Sequence, residues 1–324
     1  MRITFNIPRL ISPFETRVSK FEDEVDRELR KWWTRIGVVT NNEELEHIAG
    51  IRTGSVSCRS IPDSSFDEIL FIAKLASVSI CIDDMFDGMS GDKSEQFFSR
   101  IERVKAIAKG EKIEPKDALE RAGLDLQEDA MRYYKNQLPL IRRGMDHLFR
   151  GMQWEMKVNR RHRIPSLTEY VTLRPVTVFF DIIMDMYEPL AGIELPMELR
   201  CQTPIRELYL ATIKINWILN DIASIAKELK DNCTTNLVIV LKHELNCDWQ
   251  TAMDEAVKML EEAYEEFLIA EKLLVKTGDQ KIDDTVVKYI QLLKDLICGQ
   301  YHLYDENPRF GSCGMVSIDL SEET

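Results

Sequence analysis

Residues 208–228 read LYLATIKINWILNDIASIAKE, a mostly apolar stretch that contains neither Gly nor Pro. It predicts one long, buried helix within residues 203–230. Asn220, Ser224 and Glu228 are spaced four residues apart, so they form one stripe along that helix. An amide oxygen, a hydroxyl and a carboxylate on successive turns are ligands of the kind that Mg²⁺ binds. A solvent-facing polar stripe is the alternative, but the apolar flanks favour burial.

A second acidic cluster follows another apolar helical stretch, FIAKLASVSICI, at residues 71–82. It contains Asp83, Asp84 and Asp87, of which the first and last share a helix face. Carboxylates at a helix C-terminus repel one another and the negative end of the helix dipole, and a divalent cation relieves both effects. The alternatives are solvated carboxylates or an EF-hand loop starting at Asp83, but such a loop would require an oxygen ligand where Met85 stands.

Helical periodicity extends along most of the chain and predicts an all-α, single-domain fold. The predicted helices cover residues 16–36, 63–88, 95–109, 115–136, 138–161, 166–190, 203–230, 234–244, 248–276 and 279–300. No strand is predicted, because sustained alternation and Asn-Gly hairpin signals are missing. We assign residues 1–310 to the helical domain and the small, acidic stretch 311–324 to a flexible tail.

Composition narrows the functional classes. The chain has 324 residues, 44% of them hydrophobic, with a formal net charge of −13. That charge argues against a nucleic-acid partner, and we interpret the short basic cluster Arg160, Arg161 and Arg163 as a solvated helix end. No apolar run reaches the length of a membrane span, so no stable membrane insertion is expected, and we expect a cytoplasmic protein.

Together, the clusters Asp83–Asp87 and Asn220–Glu228 resemble the two metal motifs of class I terpene synthases, DDxxD and the Asn-Ser-Glu motif that ends in Lys-Glu. The chain is most similar to the single-domain microbial type. The resemblance implies a helical bundle around a central apolar cavity, three Mg²⁺ ions and an isoprenoid diphosphate substrate that is ionised and cyclised. We favour farnesyl diphosphate slightly over geranylgeranyl diphosphate, and a homodimer remains open.

The resemblance also implies roles for residues outside the two clusters. Arg174 is similar to the family's diphosphate-sensing arginine, followed by Thr177 and Val178 at the position of a helix break. Arg309 is similar to the arginine of an Arg-Tyr pair and is expected to bind diphosphate and to pair with Asp84, although Phe310 replaces the tyrosine. The expected substrate-binding residues are Arg174, Thr177, Val178, Phe179, Lys227 and Arg309, and the expected catalytic residues are Arg174, Lys227, Arg309 and Trp217.

Aromatic residues are candidates for a cavity wall that stabilises a carbocation. Trp217 lies three residues before Asn220 and is expected to project into the cavity, and Phe179 and Phe180 follow Arg174 on the same predicted helix. Ordinary core packing is the alternative for each of them. The residues three, four and seven positions before Asp83 are Ile80, Ser79 and Ala76, which leave room for a long substrate.

Two other functions are compatible with these motifs. A chain-elongating prenyl diphosphate synthase has the same fold but a second aspartate-rich motif, where this chain has Asn220, Ser224 and Glu228. A non-catalytic helical scaffold would carry the acidic clusters as surface groups. Formation of longer diphosphates identifies the first, and the absence of stabilisation by Mg²⁺ and diphosphate identifies the second.

Overall fold

The apolar stretch quoted above forms a helix over Thr203–Lys230 in a computed structural model of the chain. The structure describes residues 2–87, 93–134, 138–305, 307, 309–310 and 313–319, without the side chains of residues 86, 87, 93–96, 140 and 181. The helices are α1 (Glu22–Ile36), α2 (Asn42–Gly50), α3 (Thr53–Ser60), α4 (Phe66–Asp87), α5 (Lys93–Ala108), α6 (Ala118–Tyr133), α7 (Leu138–Arg160), α8 (Leu167–Thr177), α9 (Phe180–Leu190), α10 (Met197–Arg200), α11 (Thr203–Lys230), α12 (Leu237–Glu244), α13 (Trp249–Lys272) and α14 (Gln280–Tyr304). The strands are β1 (Arg2–Ile7) and β2 (Gly314–Asp319).

Helix α11 lies at the centre of the bundle. It packs against α8, α9, α12, α13 and α14, which explains why its side chains are apolar on more than one face. The all-α prediction is confirmed. No helix in the described ranges is both long and apolar enough to cross a bilayer.

The predicted helix at residues 166–190 is two helices. Helix α8 ends at Thr177 and α9 begins at Phe180, and Val178 and Phe179 form the break between them. Phe179 has a φ of 70°, a left-handed conformation that is strained for an aromatic residue. The expectation that Phe179 and Phe180 continue the helix of Arg174 is therefore wrong, because the chain turns after α8.

The two strands contradict the prediction that the chain has none. β1 and β2 pair antiparallel, with Ile3 opposite Ile318 and Phe5 opposite Val316. Ile3, Phe5 and Ile7 are buried, and Phe5 stacks on Trp249 with ring centroids 6.0 Å apart. Residues 314–319, which we assigned to a flexible tail, are therefore a paired strand held by this short apolar alternation. The domain limits at residues 1–310 remain a prediction.

The close contact between α3 and α14 leads to a prediction about stability. A β-carbon on Gly299 would overlap Ser60 Oγ and lie 3.2 Å from the backbone oxygen of Val56. We expect Gly299→Ala to lower the free energy of unfolding by about 1–3 kcal/mol, as in other overpacked sites, when measured by urea denaturation. Gly123→Ala in α6 is the control, because the nearest atom, Ile107 Cγ2, would lie 3.4 Å away. Equal stability of the two variants would contradict the prediction.

Candidate active site

A cavity of about 350 Å³ lies among α4, α7, α11, α14 and the break between α8 and α9. Such a volume is within the usual range for ligand pockets, roughly 300–1,000 Å³. Much of its wall is apolar and aromatic. The aromatic residues in its lining are Phe71, Tyr134, Phe149, Phe179, Phe180, Tyr187, Tyr304 and Phe310. Ala76, Ser79 and Ile80 line it as well, on the helix that carries the first acidic cluster.

The first acidic cluster lies at one end of this cavity and is bound by Arg309. The Arg309 guanidinium donates to Asp83 Oδ2 at 2.5 Å and to Asp84 Oδ1 at 3.0 Å and 2.8 Å. Asp83 and Arg309 both line the cavity. Burial of Arg309 disfavours its charge, but the two carboxylates outweigh this and raise the pKa of Arg309 above its ordinary value. Asp87 ends α4, and its side chain lies outside the described residues.

The second cluster faces the same cavity from α11. Asn220, Ser224, Lys227 and Glu228 all line it, so the predicted stripe points inward rather than to solvent. Ser224 is 3% exposed, and its Oγ has no hydrogen-bond partner among the described residues. A buried hydroxyl of this kind costs stability unless a ligand satisfies it. The stripe therefore fits a hard cation that takes oxygen ligands.

The α11 stripe combines three kinds of oxygen donor. In the described part of the chain, no group of three His, Cys, Asp or Glu side chains could hold a metal ion. The α11 stripe contributes an amide, a hydroxyl and a single carboxylate, so it does not form such a group. Oxygen ligands of this mixture suit Mg²⁺ and do not suit the soft metals that prefer thiolate or imidazole.

Arg174 connects α8 to α11 through a buried ion pair. Its Nε and one Nη donate to Asp221 Oδ1 at 2.9 Å and 2.6 Å, and the same Nη donates to Asn220 Oδ1 at 2.6 Å. Asp221 also accepts from the Tyr170 hydroxyl at 2.5 Å and from the backbone N–H of Leu237 at 3.0 Å. Burial opposes the charge on Arg174, but the Asp221 carboxylate holds the pKa of Arg174 well above its ordinary value.

The remaining donor of Arg174 can be identified by counting. A guanidinium has five N–H groups. Four are used by Asp221, Asn220 and Thr177, whose Oγ1 accepts at 3.2 Å. Within the described residues, one N–H on the second Nη is thus left for a ligand. Thr177 is the last residue of α8, so Arg174 directly contacts the residue before the helix break.

Lys227 and the residues of the break complete the polar end of the cavity. Lys227 Nζ lies 3.6 Å from Asp231 Oδ2 on the next turn of α11. Thr177, Val178 and Phe179 line the cavity. The structure therefore brings together Asp83, Arg174, Thr177, Val178, Phe179, Asn220, Ser224, Lys227, Glu228 and Arg309 around one cavity.

Trp217 is placed differently from the prediction. It is 3% exposed, and its ring packs edge-on against Tyr170 with centroids 6.2 Å apart. It is not among the described residues that line the cavity. Three residues correspond to about 300° around a helix, so Trp217 is rotated about 60° from Asn220. That rotation directs the indole to Tyr170 on α8, and the expected projection into the cavity is wrong.

Three residues of the site were missed in the sequence. Asp221 adjoins Asn220 but lies about 100° further around α11, outside the stripe of ligands. Tyr170 contacts Asp221 from α8. Tyr304 on α14 lines the cavity and its hydroxyl contacts Asn220, and burial raises its pKa to about 12. Asp221 adjoins Asn220 in the second motif, but the sequence analysis assigned no role to it or to the two tyrosines.

Sequence comparison identifies related proteins. The model of the family described as terpene synthase family 2, C-terminal metal binding, matches residues 74–266. The chain is 27% identical over 297 residues to (+)-T-muurolol synthase ((2E,6E)-farnesyl diphosphate cyclizing) of Roseiflexus castenholzii, over 90% of this chain and 89% of that protein. It is 27% identical over 253 residues to (12E)-labda-8(17),12,14-triene synthase of Streptomyces anulatus, over 75% of this chain and 77% of that protein.

Solved structures share the fold. The crystal structure of germacradien-4-ol synthase from Streptomyces citricolor has a TM-score of 0.78 at 22% identity and covers 92% of this chain and 98% of that one. The crystal structure of a-eudesmol synthase has a TM-score of 0.78 at 19% identity, with coverage of 92% and 98%. At these identities the likeness establishes the helical fold.

The buried ion pair between Arg174 and Asp221 leads to a prediction about stability. Asp221→Asn removes the charge that balances Arg174, and we expect the free energy of unfolding to fall by about 3 kcal/mol. The control is Glu266→Gln, which removes an exposed ion pair with Lys214 at 2.8 Å and should cost less than about 1 kcal/mol. Urea denaturation at neutral pH measures both. A cost for Asp221→Asn no larger than that of the control would show that the pair does not hold α8 to α11.

Proposed function

This chain belongs to terpene synthase family 2, and from that premise we propose that it ionises a linear isoprenoid diphosphate with Mg²⁺, cyclises the carbocation and releases diphosphate. The observation that carries the proposal is the cavity itself. One end of it gathers oxygen ligands and cationic side chains, and most of the remaining wall is apolar and aromatic. A diphosphate attached to a hydrocarbon chain has the same division between a charged end and an apolar end.

Two sets of side chains are suited to hold Mg²⁺. One is Asp83 with Asp84 and Asp87, and the other is Asn220 with Ser224 and Glu228. The unpartnered Ser224 hydroxyl supports the second set, and the exposed carboxylates of Asp83 and Asp84 support the first. When bound, Mg²⁺ acts as a Lewis acid that stabilises charge on the departing diphosphate. The number of three ions is proposed from the resemblance.

Three cationic residues are proposed to bind the diphosphate. Arg174 has one N–H group left after its contacts with described residues, Lys227 lines the cavity one position before Glu228, and Arg309 lies at the opposite acidic cluster. Charges fixed in place before the reaction stabilise the departing anion without reorganisation, which is the principal source of catalysis in such sites. The proposed ionisation therefore needs no nucleophile or histidine base from the protein.

The apolar wall is proposed to protect the carbocation. Phe179 lines the cavity from the break beside Arg174, so its ring lies close to the polar end, where charge separates. Aromatic faces stabilise cations, and an apolar cavity excludes the water that would otherwise quench them. Phe180 and Phe149 extend this wall.

Farnesyl diphosphate is the favoured substrate. Two relatives are named for cyclising it, the (+)-T-muurolol synthase and the 7-epi-alpha-eudesmol synthase of Streptomyces viridochromogenes. Ala76 and Ser79 are small and leave space on the α4 side of the cavity, so geranylgeranyl diphosphate is the second candidate.

Product analysis tests this function. We expect purified protein with Mg²⁺ to convert farnesyl diphosphate to cyclic C15 products detected by gas chromatography, at a higher kcat/KM than the C10 and C20 diphosphates. Samples with EDTA in place of Mg²⁺ are the control. Formation of longer diphosphates when isopentenyl diphosphate is added would identify a chain-elongating enzyme instead. Turnover of none of the three substrates would contradict the proposal.

Substitution of the proposed metal ligands tests the site. We expect Asp83→Asn and Glu228→Gln each to lower kcat by at least about a hundredfold, because each removes a charge that holds the cation. Glu262→Gln, an exposed change on α13, is the control. The thermal midpoint supplies a second measurement: Mg²⁺ with inorganic diphosphate should raise it in wild type and in the control, and much less in the two variants. Near-normal stabilisation of either variant would remove that residue from the site.

A further inference from the structure

Phe310 has no hydroxyl, but the hydroxyl of Tyr304 lies close to it at the polar end of the cavity. Phe310 follows Arg309 and lines the cavity, and the Arg309 guanidinium lies 5.0 Å from its ring centroid. The ring of Tyr304 packs edge-on against Phe310, with centroids 4.8 Å apart. Tyr304 is the last residue of α14, and its hydroxyl reaches Asn220 across the cavity end. The Tyr304 hydroxyl therefore lies between Phe310, which is beside Arg309, and Asn220, which contacts Arg174.

The orientation of the Asn220 amide follows from its neighbours. Arg174 can only donate, so the Asn220 atom that faces it at 2.6 Å must be the oxygen. The atom that faces the Tyr304 hydroxyl at 2.9 Å is then the NH₂ group, which can only donate. Tyr304 must accept this bond. The proton of the Tyr304 hydroxyl therefore points away from Asn220. In the described part of the chain, this proton has no acceptor within hydrogen-bonding distance.

We propose that Tyr304 is a diphosphate-binding residue, whose hydroxyl donates its proton to a phosphate oxygen while it holds Asn220 in place. The inference rests on the proposed function and adds a residue to that site. A phosphate oxygen is the acceptor that this position offers, because Tyr304 shares Asn220 with Arg174, which has one N–H group left, and packs on Phe310 beside the Arg309 guanidinium. By accepting from the Asn220 NH₂ group, Tyr304 also keeps the Asn220 oxygen directed toward Arg174.

Calorimetry with inorganic diphosphate in saturating Mg²⁺ tests this role without turnover. Tyr304→Phe keeps the ring that packs on Phe310 and removes only the hydroxyl. We expect it to weaken diphosphate binding about tenfold, the size of one hydrogen bond to a charged group. The control is Tyr301→Phe on the same helix, because the Tyr301 hydroxyl contacts Tyr264 at 2.9 Å and Tyr301 is not among the described cavity residues. The control should bind as wild type does.

The outcomes separate this inference from the proposed function. If wild type and Tyr301→Phe bind diphosphate and Tyr304→Phe binds within twofold of them, the role of Tyr304 is overturned and the proposed function stands. If wild type itself does not bind diphosphate with Mg²⁺, the proposed function fails and this inference fails with it. In the supporting case, the thermal midpoint of ligand-free Tyr304→Phe stays within a few degrees of wild type, which shows that the loss is one of binding.

Discussion

The buried ion pair between Arg174 and Asp221 is the interaction on which the site depends. It joins α8 to α11, and the same guanidinium contacts Asn220 and Thr177. Removing either charge would leave the other buried without an opposite charge, which is strongly destabilising. Because Arg174 touches a proposed metal ligand on one side and the helix break on the other, its position sets the geometry of the polar end of the cavity.

The two acidic motifs are joined by the end of the chain. Asp83 and Asp84 accept from Arg309, Phe310 packs on Tyr304, and Tyr304 contacts Asn220 on α11. This continuous series of contacts connects residues separated by more than a hundred positions. The positive charge of Arg309 lies between two carboxylates that would otherwise repel each other.

The sequence predicted the parts of this site that follow from helical spacing. The stripe on α11 faces the cavity because positions four residues apart share a helix face, and Asp83 on α4 lines the same cavity. Spacing could not show that Trp217 turns toward Tyr170, since the choice depends on which neighbouring helix has room. It also could not locate the break at Phe179, whose left-handed backbone has no signal in an aromatic residue. The strand at residues 314–319 was not predicted, because the strand with which it pairs lies at the opposite end of the chain.

The terminal sheet limits how far Arg309 can travel. Four residues separate Arg309 from Gly314, where β2 begins, and a fully extended chain spans at most about 3.6 Å per residue. Anchored by α14 on one side and β2 on the other, Arg309 moves on a tether of less than about 20 Å. Wider displacement requires that β2 separate from β1, so Arg2–Ile7 limits the movement of Arg309 although none of its described side chains lines the cavity.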